Sequence, residues 1–287
     1  MKSVVLALLA LALVVIFALI AWRSADQRAN RQLWASLASH QPSAPARFDL
    51  SSIADLPDAA QRYFRFAISP GTRLYTVAEI SMQGEFSLGN KDDPKYLPMR
   101  AEQLLASPHG FVWNLRAGEG VMKISGSDVA GDGSSWSRFW LLGIAPVARA
   151  GGSPDHARAA FGRYVAEAVF WTPAALLPSD HVRWEAIDDS TARVIVTHLG
   201  LQQAVDVFVD VDGRLNKVVF QRWSDANQQK VFQLQPFGGF LSEYKTFEGF
   251  RLPTRVEAGN FFDTDDYFPF FKVTVTSIRF VAPSDSE

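Results

Sequence analysis

The chain has 287 residues, 48% hydrophobic and 20% charged, a composition that supports a sizeable core. A formal net charge of −2 with no basic block argues against a nucleic-acid partner, because nothing is present to neutralise phosphates. A sequence without cysteine rules out disulfides, thiolate metal sites and a cysteine nucleophile, while 22 Phe and 8 Trp exceed what a small core needs and point to a lined cavity.

Val4 to Trp22 form a run without a charged, Gly or Pro residue. As a helix rising ~1.5 Å per residue it spans about 28 Å, close to the hydrocarbon thickness of a bilayer. A cleavable signal peptide has a shorter apolar core of about 7–15 residues and a small-x-small site. Cleavage after Ala21 would put the bulky Leu19 at the wrong place for that site. The run reads as a retained signal-anchor, with a cleaved signal peptide as the alternative. Orientation is balanced, since Arg23, Arg28 and Arg31 favour a cytoplasmic domain while single N-terminal anchors more often export one. Ala29, Leu33, Trp34 and Leu37 recur at helical spacing, so residues 1–39 read as a transmembrane helix and amphipathic neck. Residues 40–49 carry two prolines and read as a linker, and residues 50–287 as a single β-rich globular domain.

In that domain, Pro57 opens a short helix, PDAAQRYFRFAI. From Thr72 the period becomes two, with Leu74, Thr76, Ala78, Ile80 and Met82 on one face of a strand. YLPMRAEQLLA, GFVWNLRA, GVMKISGSDVA and WSRFWLLG continue the strands. A long helix follows from Pro154 to Trp171, with Ser153 as its cap and Pro154 at its first position. HVRWEAI, TARVIVTHL, QQAVDVFVDV, RLNKVVFQRW, GFLSEYKTF, LPTRVEAGNFF and FFKVTVTSIRF resume the strands, with Asp212-Gly213 and Glu248-Gly249 as hairpin turns. The fold class is mostly β with a few helices, a curved antiparallel meander of on the order of ten strands.

Arg163 and Glu167, four apart on one helical face, are candidates to fix a polar head group, with Trp171 stacking below; an ordinary surface ion pair is the plainer reading. Asp206 lies between apolar residues on its own strand face and needs a donor if buried. Arg255 and Glu257 share a strand face and are candidate partners for Asp206 or Arg163 across a concavity; a structural salt bridge or a solvated outer face is the plainer reading. Trp184 belongs to an aromatic set that is mostly core. Phe237-Gly238-Gly239-Phe240 and Phe268-Pro269-Phe270-Phe271 sit at strand ends, where Phe237 and Phe270 would rim a groove. The five histidines lack zinc spacing, and no P-loop, GxGxxG or GxSxG is present. Asp263, Asp265 and Asp266 read as a hairpin tip rather than a Ca²⁺ loop. No metal site and no cofactor are expected.

LPDAAQRYFRFAI, GRYVAEAVFWTPAALLP, the DGRL turn, and GFRLPTRVEAGNFF before a final FFKVTVTSIRF occur in an order that resembles an uncharacterised bacterial membrane-anchored family, a domain of unknown function. Members of that family are similar in architecture to periplasmic lipoprotein carriers, a half-barrel with helices in its concave side. The resemblance implies binding of a lipid or lipoprotein acyl chain in an apolar groove, and a bacterial inner-membrane protein with one span and a periplasmic domain. The expected function is a tethered, non-catalytic binding module. The alternatives are a hydrolase or isomerase using Glu167, Asp206 or Glu257 with Arg163, and a protein-interaction module at the membrane.

Overall fold

The computed structural model of the chain describes residues 2–282. Met1 and residues 283–287, the end of the domain drawn over 50–287, lie outside the described residues. Helix α1 runs unbroken from Lys2 to Ala38, through a sequence with neither Gly nor Pro to interrupt its hydrogen bonds. Its apolar half is long and hydrophobic enough to cross a membrane, and it projects free of the rest of the chain.

Thirteen strands form one antiparallel sheet. They are β1 (Ala78–Ser87), β2 (Tyr96–Ala106), β3 (Gly110–Ala117), β4 (Ile124–Gly131), β5 (Ser134–Leu141), β6 (Ala145–Gly151), β7 (Val182–Ala186), β8 (Thr191–His198), β9 (Leu201–Val209), β10 (Leu215–Ser224), β11 (Gln233–Phe247), β12 (Phe250–Asn260) and β13 (Phe268–Phe280). Every strand pairs with its sequence neighbour except that β6 and β7 are the two edges and β1 pairs with β13. Helix α3 (Pro154–Trp171) joins the two edges, capped by Ser153 as its sequence requires. It touches β3 to β6 on one side and β9, β10 and β12 on the other. Strands lie ~4.8 Å apart, so β6 and β9 would be about 48 Å apart in a flat sheet. An 18-residue helix is only about 27 Å long. The sheet therefore curls around α3. It is a mostly β, open antiparallel sheet with helices on its concave face.

Two expectations are corrected in detail. APVARAG forms strand β6, which carries no alternation because nearly all of it is exposed. The segment Thr72–Val77 lies outside β1, which starts at Ala78.

The core follows strand alternation. Ala78, Ile80 and Met82 of β1, Phe111, Trp113 and Leu115 of β3, and Val205, Val207 and Val209 of β9 all face inward. Helix α2 (Asp58–Ala67) buries Tyr63 and Phe64 there, and the Tyr63 hydroxyl donates to the Val169 carbonyl of α3. The outer face has a smaller core of its own. Leu33 and Leu37 of α1 pack on Leu104, Val112, Val129 and Trp136. Gln41, inside the stretch read as a linker, is buried, and its Oε1 accepts from the backbone N–H groups of Thr76 and Val77 at 3.1 and 2.9 Å. The neck is thus docked on the sheet.

Candidate functional site

A cavity of about 540 Å³ lies between α3 and the sheet, within the size range of small-molecule sites. Helix α3 lies closest to β9 and β10, and the cavity is the space left between its inner side and the concave face, walled by side chains of β1 to β6 and of β10 to β13. Its walls are mainly apolar, with Phe86, Leu97, Trp113, Phe139, Phe220 and Phe271 among them. Of the wall residues, Leu88, Val147 and Ala148 are exposed and mark the mouth. All three lie at the end of the sheet where the β1–β2, β3–β4 and β5–β6 hairpins turn.

One ionic group interrupts the apolar wall. The Arg163 guanidinium donates to Asp128 at 2.6 Å and to Glu167 at 2.8 Å. It also lies over the rings of Phe111 and Trp113 at 4.6 and 4.9 Å. Burial works against its charge, but the two carboxylates outweigh burial and raise its pKa. Gln103 donates to Glu167, and the Ser137 hydroxyl donates to Asp128 at 2.6 Å. Arg222 is different. Its Nε is buried without a hydrogen-bond partner among the described residues, its guanidinium sits 4.9 Å from the Phe237 ring, and burial, with Arg163 adding to it, pushes its pKa down to about 10. It stays cationic at neutral pH.

The structure brings Arg163, Glu167, Trp171, Phe237 and Phe270 together in this cavity. Trp184, Asp206, Arg255 and Glu257 lie elsewhere. Trp184 donates to the Leu176 carbonyl in the core beside Tyr63 and Phe64. Asp206 lies on the outer face, because Val205 and Val207 take the inner one, and it is bonded twice by Arg193 at 2.6 and 2.9 Å. Val256 lines the cavity, so Arg255 and Glu257 on either side of it must face outward. Asp128 and Arg222 did not stand out in the sequence. Arg222 was legible in principle, since Val218, Phe220 and Arg222 alternate on one face of β10 and all line the cavity.

Ser137 also lies 3.2 Å from His156 Nε2. A serine nucleophile needs a base oriented by a third group. Here the His156 Nδ1 has no partner among the described residues, and the acid bonds the serine rather than the histidine.

A family model described as a family of unknown function, DUF6544, matches residues 46–273. The chain belongs to that family. Its match covers α2, α3 and the sheet from β1 into β13, the body in which the cavity lies. No curated protein matches the chain by sequence. Among solved structures, the DUF6544 chain is similar to a LolA superfamily protein from Nitrosomonas europaea, at 12% identity and a TM-score of 0.42, over 77% of this chain and 91% of that one. A putative outer membrane lipoprotein-sorting protein domain from Vibrio parahaemolyticus is similar at 12% identity and a TM-score of 0.40, over 74% and 87%. A DUF1329 family protein from Desulfovibrio piger is similar at 11% identity and a TM-score of 0.40, over 78% and 90%.

Proposed function

We propose that this protein is a membrane-anchored, non-catalytic binding module that holds the apolar chain of an amphipathic molecule, a lipid or lipoprotein acyl chain, in the cavity. The observation that carries this reading is the cavity itself. About 540 Å³ bounded mainly by Phe, Trp, Leu and Val side chains offers an acyl chain ~25 cal/mol for each Å² removed from water. Arg222, without a hydrogen-bonded acid, is the group that would meet an anionic head. The reading places the chain in a bacterial inner membrane through α1, with its domain periplasmic.

The test is photo-crosslinking of the full chain in bacterial membranes with a phospholipid carrying a diazirine on its acyl chain. Adducts are expected on peptides of α3, β11 and β13, and to disappear with Phe237→Asp. Adducts confined to α1 would overturn the reading.

A further inference from the structure

We infer that the hairpin end of the sheet rests in the surface of the bilayer that α1 spans, so that the cavity mouth opens onto lipid. The bilayer's role as a source of ligand rests on the binding function proposed above; the seating of the domain does not.

Three independent observations converge. First, α1 is one straight run of helical hydrogen bonds with no Gly or Pro between its apolar half and its neck, so the direction of the span is fixed by the docking of the neck. The docking is specific. Leu37 lies against Gly131 at the far end of the sheet, and Arg23 donates to the Gly143 carbonyl at 2.7 Å at the hairpin end. Gly143 has φ +70°, and a Cβ there would stand 1.9 Å from the Arg23 guanidinium. The positive φ suits glycine, and a side chain there would have to displace the Arg23 guanidinium. The apolar helix therefore leaves the domain beside the β5–β6 turn, and Trp22 and Arg23, residue types suited to a membrane interface, mark the level.

Second, the turns at that level are apolar. The β3–β4 connection presents Val121 and Met122, and the β5–β6 turn presents Leu142 and Ile144, each about half exposed or more, with Val121 at 76%. Turns normally carry polar residues, as Asp132-Gly133 and Glu248-Gly249 do at the opposite end, where the Asp212-Gly213 turn exposes the single apolar Val211. The polar β1–β2 turn, with Lys91, Asp92 and Asp93, lies farther from α1, and its Lys91 donates to the Asp265 carbonyl of the β12–β13 turn. Two adjacent turns beside α1 thus each present a pair of apolar side chains.

Third, the exposed wall residues of the cavity, Leu88 and Val147, stand at this same end. An acyl chain passing from the bilayer into the cavity would cross apolar side chains throughout.

The chain has no cysteine, so Val121→Cys, Ile144→Cys and, at the opposite end, Val211→Cys each give a single labelling site. Nitroxide-labelled full chain in phosphatidylethanolamine–phosphatidylglycerol vesicles is read by collision with oxygen, which concentrates in hydrocarbon, and with a nickel chelate, which stays in water. Labels at 121 and 144 should favour oxygen and the label at 211 nickel; three labels that all favour nickel overturn the seating. A Val121→Asp/Ile144→Asp variant should take up a fluorescent fatty acid from the vesicles about tenfold more slowly, because charges resist entry into hydrocarbon. The amount bound at equilibrium from cyclodextrin should stay unchanged. An unchanged vesicle rate overturns the portal. If the unmodified chain takes up no fatty acid by either route, the binding function fails, and the labels still decide the seating.

Discussion

Ala166 lies on α3, is buried, and lines the cavity. Ala166→Phe projects a ring into that space. A cavity of roughly 150 Å³ accommodates benzene, so the new ring removes on the order of a quarter of the 540 Å³. A chain that filled the original cavity loses about a quarter of its buried methylenes, roughly four for a sixteen-carbon acid. At ~0.8 kcal/mol per methylene this is about 3 kcal/mol, or roughly 100-fold in affinity. An eight-carbon acid, which leaves most of the cavity empty, should lose less. The assay is equilibrium dialysis of saturated fatty acids against the full chain held in an amphipathic polymer, so that water is the reference state. In the unmodified chain, affinity should rise about fourfold per methylene until the cavity is full. A length-independent affinity, or a loss in Ala166→Phe equal at every length with an unchanged melting temperature, would refute burial of the chain in this cavity.

Three further perturbations follow from the geometry. Arg163→Met removes the guanidinium shared by Asp128 and Glu167; two half-buried carboxylates without their partner should cost about 3–5 kcal/mol in urea unfolding, and a loss below about 1 kcal/mol would show that solvent already screens the group. Gln41→Ala strips the acceptor from two backbone donors, at about 1–3 kcal/mol each, and hydrogen exchange at Val77 should accelerate while the β8–β9 pair is unaffected. The third is a pH effect. Burial, with His40 and His198 adding to it and Asp132 opposing, lowers the His109 pKa to about 4; the His40 ring stacks on it at 3.8 Å and His198 meets it edge-on at 5.3 Å. The unfolded chain binds this proton more readily, so stability is full above pH ~6.5, falls as pH drops toward 4, and changes no further below that. His109 is only partly buried, and screening by solvent reduces the effect to about 1–2 kcal/mol; His109→Gln should abolish that slope in a melting series from pH 7 to 4.

Much of the fold was legible because strand alternation and helix caps are local. YLPMRAEQLLA and GFVWNLRA coincide with β2 and β3, and Ser153-Pro154 fixes the start of α3. β6 escaped because an edge strand facing solvent on most of its length carries no period-two pattern. At the site, Arg163 and Glu167 were visible from a single helix, but their third partner, Asp128, is 35 residues away in sequence, on a strand of unremarkable pattern. Asp206 was misleading for the same reason in reverse. Its neighbours Ala204 and Phe208 are apolar, yet they lie on the outer face, and only the packing of Val205 and Val207 tells the two faces apart.

The two faces of the sheet use different kinds of interaction, and the difference bears on function. On the outer face the contacts with α1 are directional. Asp26 takes two bonds from Arg149, at 2.7 and 2.9 Å, one from Arg138 and one from Trp140, both at 3.1 Å. Asn30 donates to Asn114 at 2.9 Å. A seam made only of Leu33 and Leu37 would tolerate rotation or a one-turn slide of the helix, since apolar burial is not directional. The four bonds to Asp26 permit one register, and so fix how the body is held relative to the span. On the inner face the walls are mainly apolar, with Arg163 already paired to its two acids; under the proposed function such walls would take chains of differing length and unsaturation, and Arg222 would discriminate by charge. Position is specified on one side of the sheet and chemistry on the other, so substitutions at Asp26 should alter where the cavity opens without altering what it binds.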